Sequence, residues 1–239
     1  MTTTLERLLS RFQPEAVFLD CDGIIFDTNR LKCDAFRYAL AGAPSDAVER
    51  LVAHHKATGG VSRYLKIEHF YRRLFPVPEP DQAIARALAR FGEYCEDGYR
   101  RMRPRREALA FADLFGPDRV WVVSASDEDE LRRVFRAQEI DHHFADVHGS
   151  PATKTAHLTR ILGARGLAPT DALFVGDGGG DWGATGPLGM PFVFLAEMSE
   201  WSDGPATIGR AIDEGKAAAI ARDWDELLGT ARAALADRT

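Results

Sequence analysis

The chain carries its clearest fold signal in Ala16-Val17-Phe18-Leu19-Asp20-Cys21-Asp22-Gly23, an apolar run that ends abruptly in aspartate and glycine. Residues 172–181, which read ALFVGDGGGD, repeat this pattern later in the chain. An apolar run of this length predicts a buried strand, and strands of an open α/β sheet direct their last side chains into the crevice where ligands bind. The two segments therefore predict neighbouring parallel strands whose ends form one site.

Four carboxylates would meet at that site if the two strands are adjacent. They are Asp20, Asp22, Asp177 and Asp181. Carboxylates in so small a volume cannot all stay ionised without a cation. Because a hard divalent ion such as Mg²⁺ takes oxygen ligands, the residues predict a magnesium site.

Composition narrows the range of partners. A formal net charge of −6 over 239 residues gives no reason to expect nucleic acid or an anionic membrane as partner. The densest basic run, residues 100–106, could bind an acidic ligand, although such runs more often form a solvated helix end or a linker. No stretch approaches the roughly 20 apolar residues that cross a bilayer. We expect a monomer or a homodimer.

The first residues and the cysteines bear on localisation. Residues 1–13 predict a short amphipathic helix and not a signal peptide. Its apolar face is formed by Leu5, Leu8, Leu9 and Phe12. The three cysteines, an odd number without metal-ligand spacing, are Cys21, Cys33 and Cys95. We interpret them as reduced thiols and expect a cytoplasmic protein.

Strands and helices alternate after about residue 104. The predicted strands are 120–123, 144–147, 172–175 and 192–195. The predicted helices are 127–139, 155–165 and 224–235. The run Ala217-Ala218-Ala219 is favourable to helix. This alternation predicts an α/β fold with a parallel sheet that is covered on both faces.

Residues 28–103 differ, because their apolar residues recur with helical periodicity and show little strand character. Four helices are predicted there, at 29–41, 46–56, 62–75 and 81–99. Pro76-Val77-Pro78 ends the third of them. The sequence therefore predicts an all-helical segment inserted just after the first strand.

Four motifs follow one another over nearly the whole chain. They are Asp20-Cys21-Asp22-Gly23 at a strand end, Ser124 after an apolar strand, Lys154 ahead of a helix, and GDGGGD at residues 176–181. In this order they resemble the haloacid dehalogenase superfamily of phosphatases with a helical cap. The resemblance implies a Rossmann-like, doubly wound core (1–27 and 104–239) and a small mobile cap (28–103). The position of the insert is similar to that in phosphoglycolate phosphatases and β-phosphoglucomutases.

The resemblance implies a role for each acidic residue. Asp20 would be the nucleophile that forms an aspartyl-phosphate, and Asp22 the general acid and then the general base. Asp177 would ligate Mg²⁺ beside Asp20 and the backbone carbonyl of Asp22. Asp181 would reach the ion through water or orient Lys154. Read without the resemblance, these aspartates would be helix caps or turn residues.

A hydroxyl and a lysine would complete the catalytic set. Ser124 would donate a hydrogen bond to the transferring phosphoryl group, and Lys154 would add a fixed positive charge. Ser126 is the competing hydroxyl, and Ser124 is favoured because it directly follows the apolar strand. Lys154 could instead be an ordinary surface lysine. Cys21 should point to the opposite face from its neighbours and pack as a small hydrophobe.

The predicted substrate-binding residues are Arg63, Lys32, Gly23 and Ala125. Arg63 follows a glycine-containing loop and could bind a carboxylate or a second phosphate; the alternative is a surface arginine at a helix start. Lys32 lies on the first helix of the insert and is a weaker candidate. Asp27 and Thr28 would cap that helix, and a role in the active site is the alternative. His54 and His55 form an attractive candidate pair, but an interpretation as exposed helical histidines explains them equally well.

The expected function is Mg²⁺-dependent hydrolysis of a small phosphate ester, either a sugar phosphate or a phosphorylated acid. A phosphomutase of the β-phosphoglucomutase type is the alternative enzyme, and it would have to exclude water from the intermediate. A phospho-aspartate receiver or a catalytically silent binding module is the non-enzymatic alternative. Receivers are shorter, however, and they lack a helical insert after the first strand.

Overall fold

A computed structural model describes residues 3–11 and 13–237. Its centre is a six-stranded parallel sheet with the strand order β3-β2-β1-β4-β5-β6. The strands are β1 (Ala16–Leu19), β2 (Val120–Asp127), β3 (Asp146–Ser150), β4 (Ala172–Gly176), β5 (Phe192–Leu195) and β6 (Ala218–Ala221). The predicted α/β class is thus confirmed.

Helices flank the sheet and fill the long connection after β1. Before β1 and after β2 they are α1 (Thr4–Arg11), α7 (Glu128–Ala137), α8 (Lys154–Arg165), α9 (Gly179–Thr185), α10 (Gly204–Asp213) and α11 (Trp224–Ala236). Between β1 and β2 they are α2 (Asn29–Ala39), α3 (Ser45–Ala57), α4 (Arg63–His69), α5 (Pro80–Arg101) and α6 (Arg106–Phe115). We call residues 29–101, which contain α2 to α5, the helical insert.

The central strand β1 contributes side chains to two hydrophobic cores, one on each face of the sheet. All of β1 is buried, as expected for a parallel strand with helices on both faces. Alternate side chains of a strand point to opposite faces. Val17 and Leu19 accordingly belong to the core on one face, whereas Ala16 and Phe18 belong to the core on the other.

The strand order reverses between β1 and β4, and this position defines the site. Leu19 is aligned with Val122 in β2 and with Val175 in β4, so the chain leaves all three strands at the same edge. Ligands of doubly wound folds bind outside the carboxyl ends of the strands at such a switch point.

The helical insert agrees with the prediction for its helices to within a few residues, except in the third. Instead of a continuous helix over 62–75, α4 ends at His69 and a π-helical turn, Phe70–Leu74, follows. The insert has an aromatic interior in which the ring centroids of Phe36 and Phe91 lie 4.6 Å apart. Four helices after the first strand are thus confirmed.

Two strand predictions were wrong in position and one strand was missed. β2 continues four residues beyond Val123, and β3 begins at Asp146 and not at residue 144. The alanine-rich run predicted to favour helix contains β6, which pairs with β5 from Ala218 to Ala221. Packing against α1, α10 and α11 overrides the helix propensity of alanine there.

The remaining predictions concern the ends and the surface. Leu5 and Leu9 of α1 are buried as predicted, whereas Met1 and Phe12 lie outside the described residues. The three cysteines are buried and unpaired. Arg100 and Arg101, in the basic run, pair with acids one turn earlier in α5. Among the described helices, none has the length and apolar character to span a bilayer.

Candidate active site

The ends of β1, β2 and β4 bring the predicted catalytic residues into one buried cluster. Asp20 directly follows β1, and its backbone N–H donates to the carbonyl of Val175 in β4 at 3.0 Å. Asp177 follows β4, and Ser124 lies within β2. Lys154 begins α8, where Thr153 caps the helix by accepting from the Ala156 N–H. The buried position of Lys154 excludes an ordinary surface lysine.

Asp20 is buried and held by one carboxylate oxygen. Its Oδ1 accepts from the backbone N–H of Cys21 at 2.7 Å and lies 2.7 Å from Lys154 Nζ. Burial, followed by the nearby Asp181 carboxylate, raises the pKa of Asp20 to about 7 although Lys154 opposes the shift. No described residue donates a hydrogen bond to Oδ2, which therefore is the oxygen free to react.

Lys154 lies between two acids. Its Nζ is 2.5 Å from Asp181 Oδ1, and Asp181 Oδ2 accepts from the backbone N–H of Gly178 at 2.9 Å. Burial alone would lower the pKa of Lys154, but Asp181 and Asp20 outweigh burial and raise it. The ammonium group is therefore a permanent charge beside Asp20.

Asp177 depends on a glycine for its place. Gly23 has φ of +79°, and a Cβ at that position would lie 2.2 Å from Asp177 Oδ2. Gly23 thus lies behind Asp177, whereas Ala125 lines the cavity above the site. Burial, then Asp181 and Asp20, raise the pKa of Asp177 well above its usual range.

These acids could hold a divalent metal ion. One carboxylate oxygen from each of Asp20, Asp177 and Asp181 lies within 4.8 Å of the other two. The donors are hard oxygens of the kind that Mg²⁺ prefers. Burial is the main cause of the raised pKa of Asp20 and of Asp177, and the neighbouring carboxylates raise it further although Lys154 opposes the shift. A cation therefore fits the residues present.

Asp22 is surrounded by hydrogen-bond donors. Its Oδ1 accepts from Thr28 Oγ1 at 2.5 Å and from Tyr99 Oη at 2.6 Å, and its Oδ2 accepts from Ser126 Oγ at 2.5 Å. Lys32 Nζ lies 3.5 Å from Oδ1. Burial would raise the pKa of Asp22, but Lys32 and the three hydroxyls outweigh it and lower the pKa to about 2.

The two serines of β2 have different surroundings. Ser124 is buried, and its Oγ accepts from the Ser126 backbone N–H at 3.1 Å. Ser126 Oγ donates to Asp22 and accepts from Lys32 Nζ at 2.8 Å. Because Ser126 is engaged with Asp22, Ser124 remains the better candidate for the phosphoryl group.

A cavity of about 80 Å³ lies between these acids and the helical insert. Lys32 and Arg63, both predicted to bind substrate, line it and are buried. Arg63 is therefore not the surface arginine of the alternative interpretation. Its Nη1 lies 2.7 Å from Glu130 Oε2, and its Nη2 lies 3.7 Å from Asp127 Oδ2.

The helical insert is closed over the site. The backbone N–H of Gly180 in α9 donates to the carbonyl of Gly59 at 2.8 Å. Lys56 Nζ lies 3.0 Å from Glu200 Oε1, and Tyr64 Oη donates to Asp127 Oδ2 at 2.5 Å. These polar contacts, with the Arg63–Glu130 ion pair, join the insert to the sheet domain.

Two hydrogen-bond donors to Asp22 lie outside the predicted catalytic set. Thr28 was predicted to cap α2, but its side chain makes no capping hydrogen bond and donates to Asp22 instead. Asp27, the other predicted cap, is exposed. Tyr99 lies at the far end of the helical insert and is fully buried. The sequence placed Tyr99 only at the end of the predicted helix 81–99, and no local signal pointed to Asp22.

A second group of potential metal ligands is formed by residues of α7, β3 and α8. Glu128, His148 and His157 each place one ligand atom within 4.8 Å of the others. Hydrogen-bond partners already occupy both rings: Arg160 lies 3.4 Å from each Nδ1, and His157 Nε2 lies 2.8 Å from the Gly149 carbonyl. We interpret this group as a structural network.

Comparison with known families agrees with this geometry. The family profile of haloacid dehalogenase-like hydrolases matches residues 14–184, which include both aspartate motifs, Ser124 and Lys154. The chain therefore belongs to this family of hydrolases. No curated protein matches the chain at a significant level.

Solved structures share the fold at low sequence identity. A hydrolase from Pseudomonas syringae has a TM-score of 0.68 and 15% identity, covering 90% of this chain and 96% of its own. A protein described as a predicted phosphoglycolate phosphatase from Haemophilus somnus has a TM-score of 0.67 and 16% identity, covering 90% and 97%. A β-phosphoglucomutase from Clostridium difficile has a TM-score of 0.65 and 14% identity, covering 95% and 99%.

Proposed function

We propose that the chain is a Mg²⁺-dependent phosphomonoester hydrolase that acts on a small phosphorylated metabolite through an aspartyl-phosphate. The observation that carries this proposal is the position of Asp20. It is a buried carboxylate with one free oxygen, it lies 2.7 Å from Lys154, and it borders the cavity beneath the helical insert. Membership of a hydrolase family and the phosphatase names of several structural neighbours support it.

In the first step, Asp20 Oδ2 attacks phosphorus and the bond between phosphorus and the ester oxygen breaks. Ser124 donates a hydrogen bond to the phosphoryl group, and Lys154 balances its charge. The departing oxygen takes a proton from Asp22. Because the donors around Asp22 favour its ionised form, they must loosen when Asp22 enters this step as the acid.

In the second step, water attacks the phosphorus of the aspartyl-phosphate. Asp22 accepts a proton from this water, the bond between phosphorus and Asp20 breaks, and inorganic phosphate leaves with the Asp20 carboxylate restored. The hydrogen bonds from Thr28, Tyr99 and Ser126 keep Asp22 ionised and in place. This network supports the proposal insofar as it keeps Asp22 in the ionised form that can accept a proton.

The acidic cluster would hold Mg²⁺. Asp20, Asp177 and the backbone carbonyl of Asp22 are the proposed ligands, and Asp181 orients Lys154 or reaches the ion through water. When bound, Mg²⁺ supplies the positive charge that lets a phosphate dianion approach these carboxylates.

The helical insert would act as a cap. We assign residues 28–103 to the cap and residues 1–27 and 104–239 to the catalytic core. The chain crosses between them twice, so the two connections form a hinge about which the cap opens to exchange substrate and product.

Replacement of the nucleophile tests the proposed function. Asp20→Asn should abolish the Mg²⁺-dependent release of phosphate from p-nitrophenyl phosphate, because an amide oxygen does not form the acyl phosphate. Asp27→Asn is the matched control, since Asp27 is an exposed aspartate of the same loop, and it should retain wild-type activity. Substantial activity in the Asp20 variant would refute the assigned nucleophile.

The same residues would serve a phosphomutase, which differs only in what attacks the aspartyl-phosphate. Incubation with a sugar 1-phosphate and Mg²⁺ separates the two activities. Release of inorganic phosphate supports the hydrolase, whereas formation of an isomeric sugar phosphate without free phosphate supports the mutase.

A further inference from the structure

The cations that line the cavity are all matched by carboxylates. Lys32 faces Asp22 at 3.5 Å, and Lys56 faces Glu200 at 3.0 Å. Arg63 pairs with Glu130 at 2.7 Å. Arg63, which the sequence predicted as the residue that binds a second anionic group, therefore already has its charge balanced.

Lys66 lies behind the residues that line the cavity and has no carboxylate partner within the described chain. It lies on α4 with 1% of its surface exposed. Its Nζ donates to Nδ1 of His55 at 2.8 Å and to the carbonyl of Thr58 at 3.0 Å. No carboxylate of the described chain lies within ion-pair distance. A buried ammonium that meets only neutral acceptors is unfavourable, and burial accordingly lowers the pKa of Lys66 to about 7.

His55 connects Lys66 to the cavity. Its ring lines the cavity and packs against Phe36 with centroids 4.9 Å apart. Burial, followed by Lys66, lowers the pKa of His55 to about 3, so the ring is neutral. When Nδ1 accepts from the Lys66 ammonium, the single ring proton lies on Nε2. Among the described residues, Nε2 has no hydrogen-bond partner.

We propose that His55 and Lys66 form a subsite for an anionic group on the part of the substrate that leaves. In this subsite, Nε2–H of His55 donates to an oxygen of a carboxylate or a second phosphate, and Lys66 supplies the balancing charge from behind. The inference rests on the proposed phosphatase function and narrows its substrate to a short ester with an anionic leaving group. The cavity of about 80 Å³ fits a group of only a few heavy atoms.

Lys66 also has a structural role, and the experiment must distinguish it from the proposed role in substrate binding. Its bond to the Thr58 carbonyl lies at the C-terminus of α3, where a cation is favourable in any helix. Loss of that contact would lower stability, but it would not change the preference between two substrates that differ only in charge.

Matched two-carbon esters provide that comparison. The probes are 2-phosphoglycolate with a carboxylate, ethane-1,2-diol bisphosphate with a second phosphate, and 2-hydroxyethyl phosphate with a neutral hydroxyl. We expect the wild type to prefer an anionic ester in kcat/KM, and the favoured probe identifies the anion. His55→Phe and Lys66→Met should lower the anionic-to-neutral ratio by about tenfold to a hundredfold, the loss of one hydrogen bond to a charged group.

Two further variants sharpen the result. His55→Gln offers an amide N–H near Nε2 and should keep part of the ratio. Arg72→Met removes an exposed cation of the helical insert that is matched by Glu68 and Asp81 away from the cavity, and the ratio should stay at the wild-type value. If Lys66→Met does not fold, His55→Phe decides, because His55 is only half-buried.

The possible failures are distinguishable. A wild-type ratio near one, or an unchanged ratio in His55→Phe, would overturn the subsite while leaving the phosphatase intact. Failure of the wild type to release phosphate from all three esters and from p-nitrophenyl phosphate would overturn the proposed function itself.

Discussion

At the level of single residues, the cluster of Asp20, Asp177 and Asp181 pairs with one lysine. Asp20 and Asp181 share Lys154, whereas Asp177 forms no ion pair within the described chain. Burial is the main cause of the raised pKa of Asp20 and Asp177, and the neighbouring carboxylates raise it further. At neutral pH, protons or a metal ion must compensate the negative charge of the cluster. A phosphate group can approach only when a metal ion does so.

The sequence predicted this cluster because the acids directly follow apolar strands, and parallel strands end at one edge of a sheet. It did not predict the partners of Asp22. Thr28 reaches Asp22 from the residue before α2, and Tyr99 reaches it from α5, so both contacts depend on how the helices of the insert pack on the sheet. Periodicity identifies the buried face of a helix but not the residue that its side chains meet across an interface.

Gly23 provides a test of metal-site geometry. In Gly23→Ala, the new Cβ would lie 2.2 Å from Asp177 Oδ2, so the Asp177 carboxylate must leave its position. We expect loss of Mg²⁺ affinity by at least about tenfold, measured by calorimetric titration, since displaced ligands no longer meet the ion. Backbone strain at positive φ should add roughly 1–2 kcal/mol of destabilisation.

Gly42→Ala is the matched control, because Gly42 has φ of +105° and no atom within 4 Å of the added Cβ. It should be destabilised by strain to a similar degree and bind Mg²⁺ as the wild type does. Equal Mg²⁺ affinity in both variants would contradict a metal site at Asp177.

At the level of elements, burial and tertiary packing determine the secondary structure of segments whose intrinsic propensity points elsewhere. Ala218–Ala221 is a strand although alanine favours helix, because β5 offers an open edge and helices cover both faces. β2 extends to Asp127, and the extension carries Ser126 towards Asp22. Residue types alone predicted neither feature, since both depend on pairing with segments that are distant in the sequence.

The loop between α3 and α4 is the element that contacts the acidic motif, and its backbone approaches α9 closely. In Gly180→Ala, the added Cβ would lie 2.7 Å from both the Gly59 carbonyl oxygen and Gly60 Cα, so the insert could no longer close. We expect kcat/KM to fall by about tenfold or more. Thermal stability should not rise as helix propensity alone would predict, because the contacts between the insert and the sheet domain are weakened.

Gly183→Ala controls for the change in helix propensity. Gly183 lies in the same helix and a Cβ there meets no atom within 4 Å. It should gain stability from the better helix propensity of alanine and retain activity. Equal activity of the two variants, measured on p-nitrophenyl phosphate, would show that closure against Gly180 is not required.

At the level of the whole molecule, charge in the site couples stability to pH and to Mg²⁺. In the metal-free folded protein Asp20 keeps its proton up to about pH 7, whereas in the unfolded chain it loses it near the ordinary value of 3.8. Between these values the folded state binds more protons. The contribution of Asp20 to the free energy of unfolding must therefore decrease as pH rises through this window.

Chemical denaturation in the presence of a chelator measures this contribution. The difference in unfolding free energy between wild type and Asp20→Asn should fall from pH 4 to pH 7, and the subtraction removes the opposite trend expected from His55. Mg²⁺ at about 100 times its dissociation constant should add about 2.7 kcal/mol to the wild type. If the difference in unfolding free energy is constant or rises with pH, the proposed crowding of carboxylates around Asp20 is contradicted.

The most direct test of the mechanism is to identify the phosphorylated residue. Asp22→Asn should form the aspartyl-phosphate from p-nitrophenyl phosphate, whose leaving group needs no proton, but hydrolyse it slowly for lack of a base. Acid quenching, borohydride reduction and peptide mass spectrometry locate the acyl phosphate. The proposed mechanism predicts homoserine in place of Asp20; homoserine at another aspartate, or at none, would contradict it.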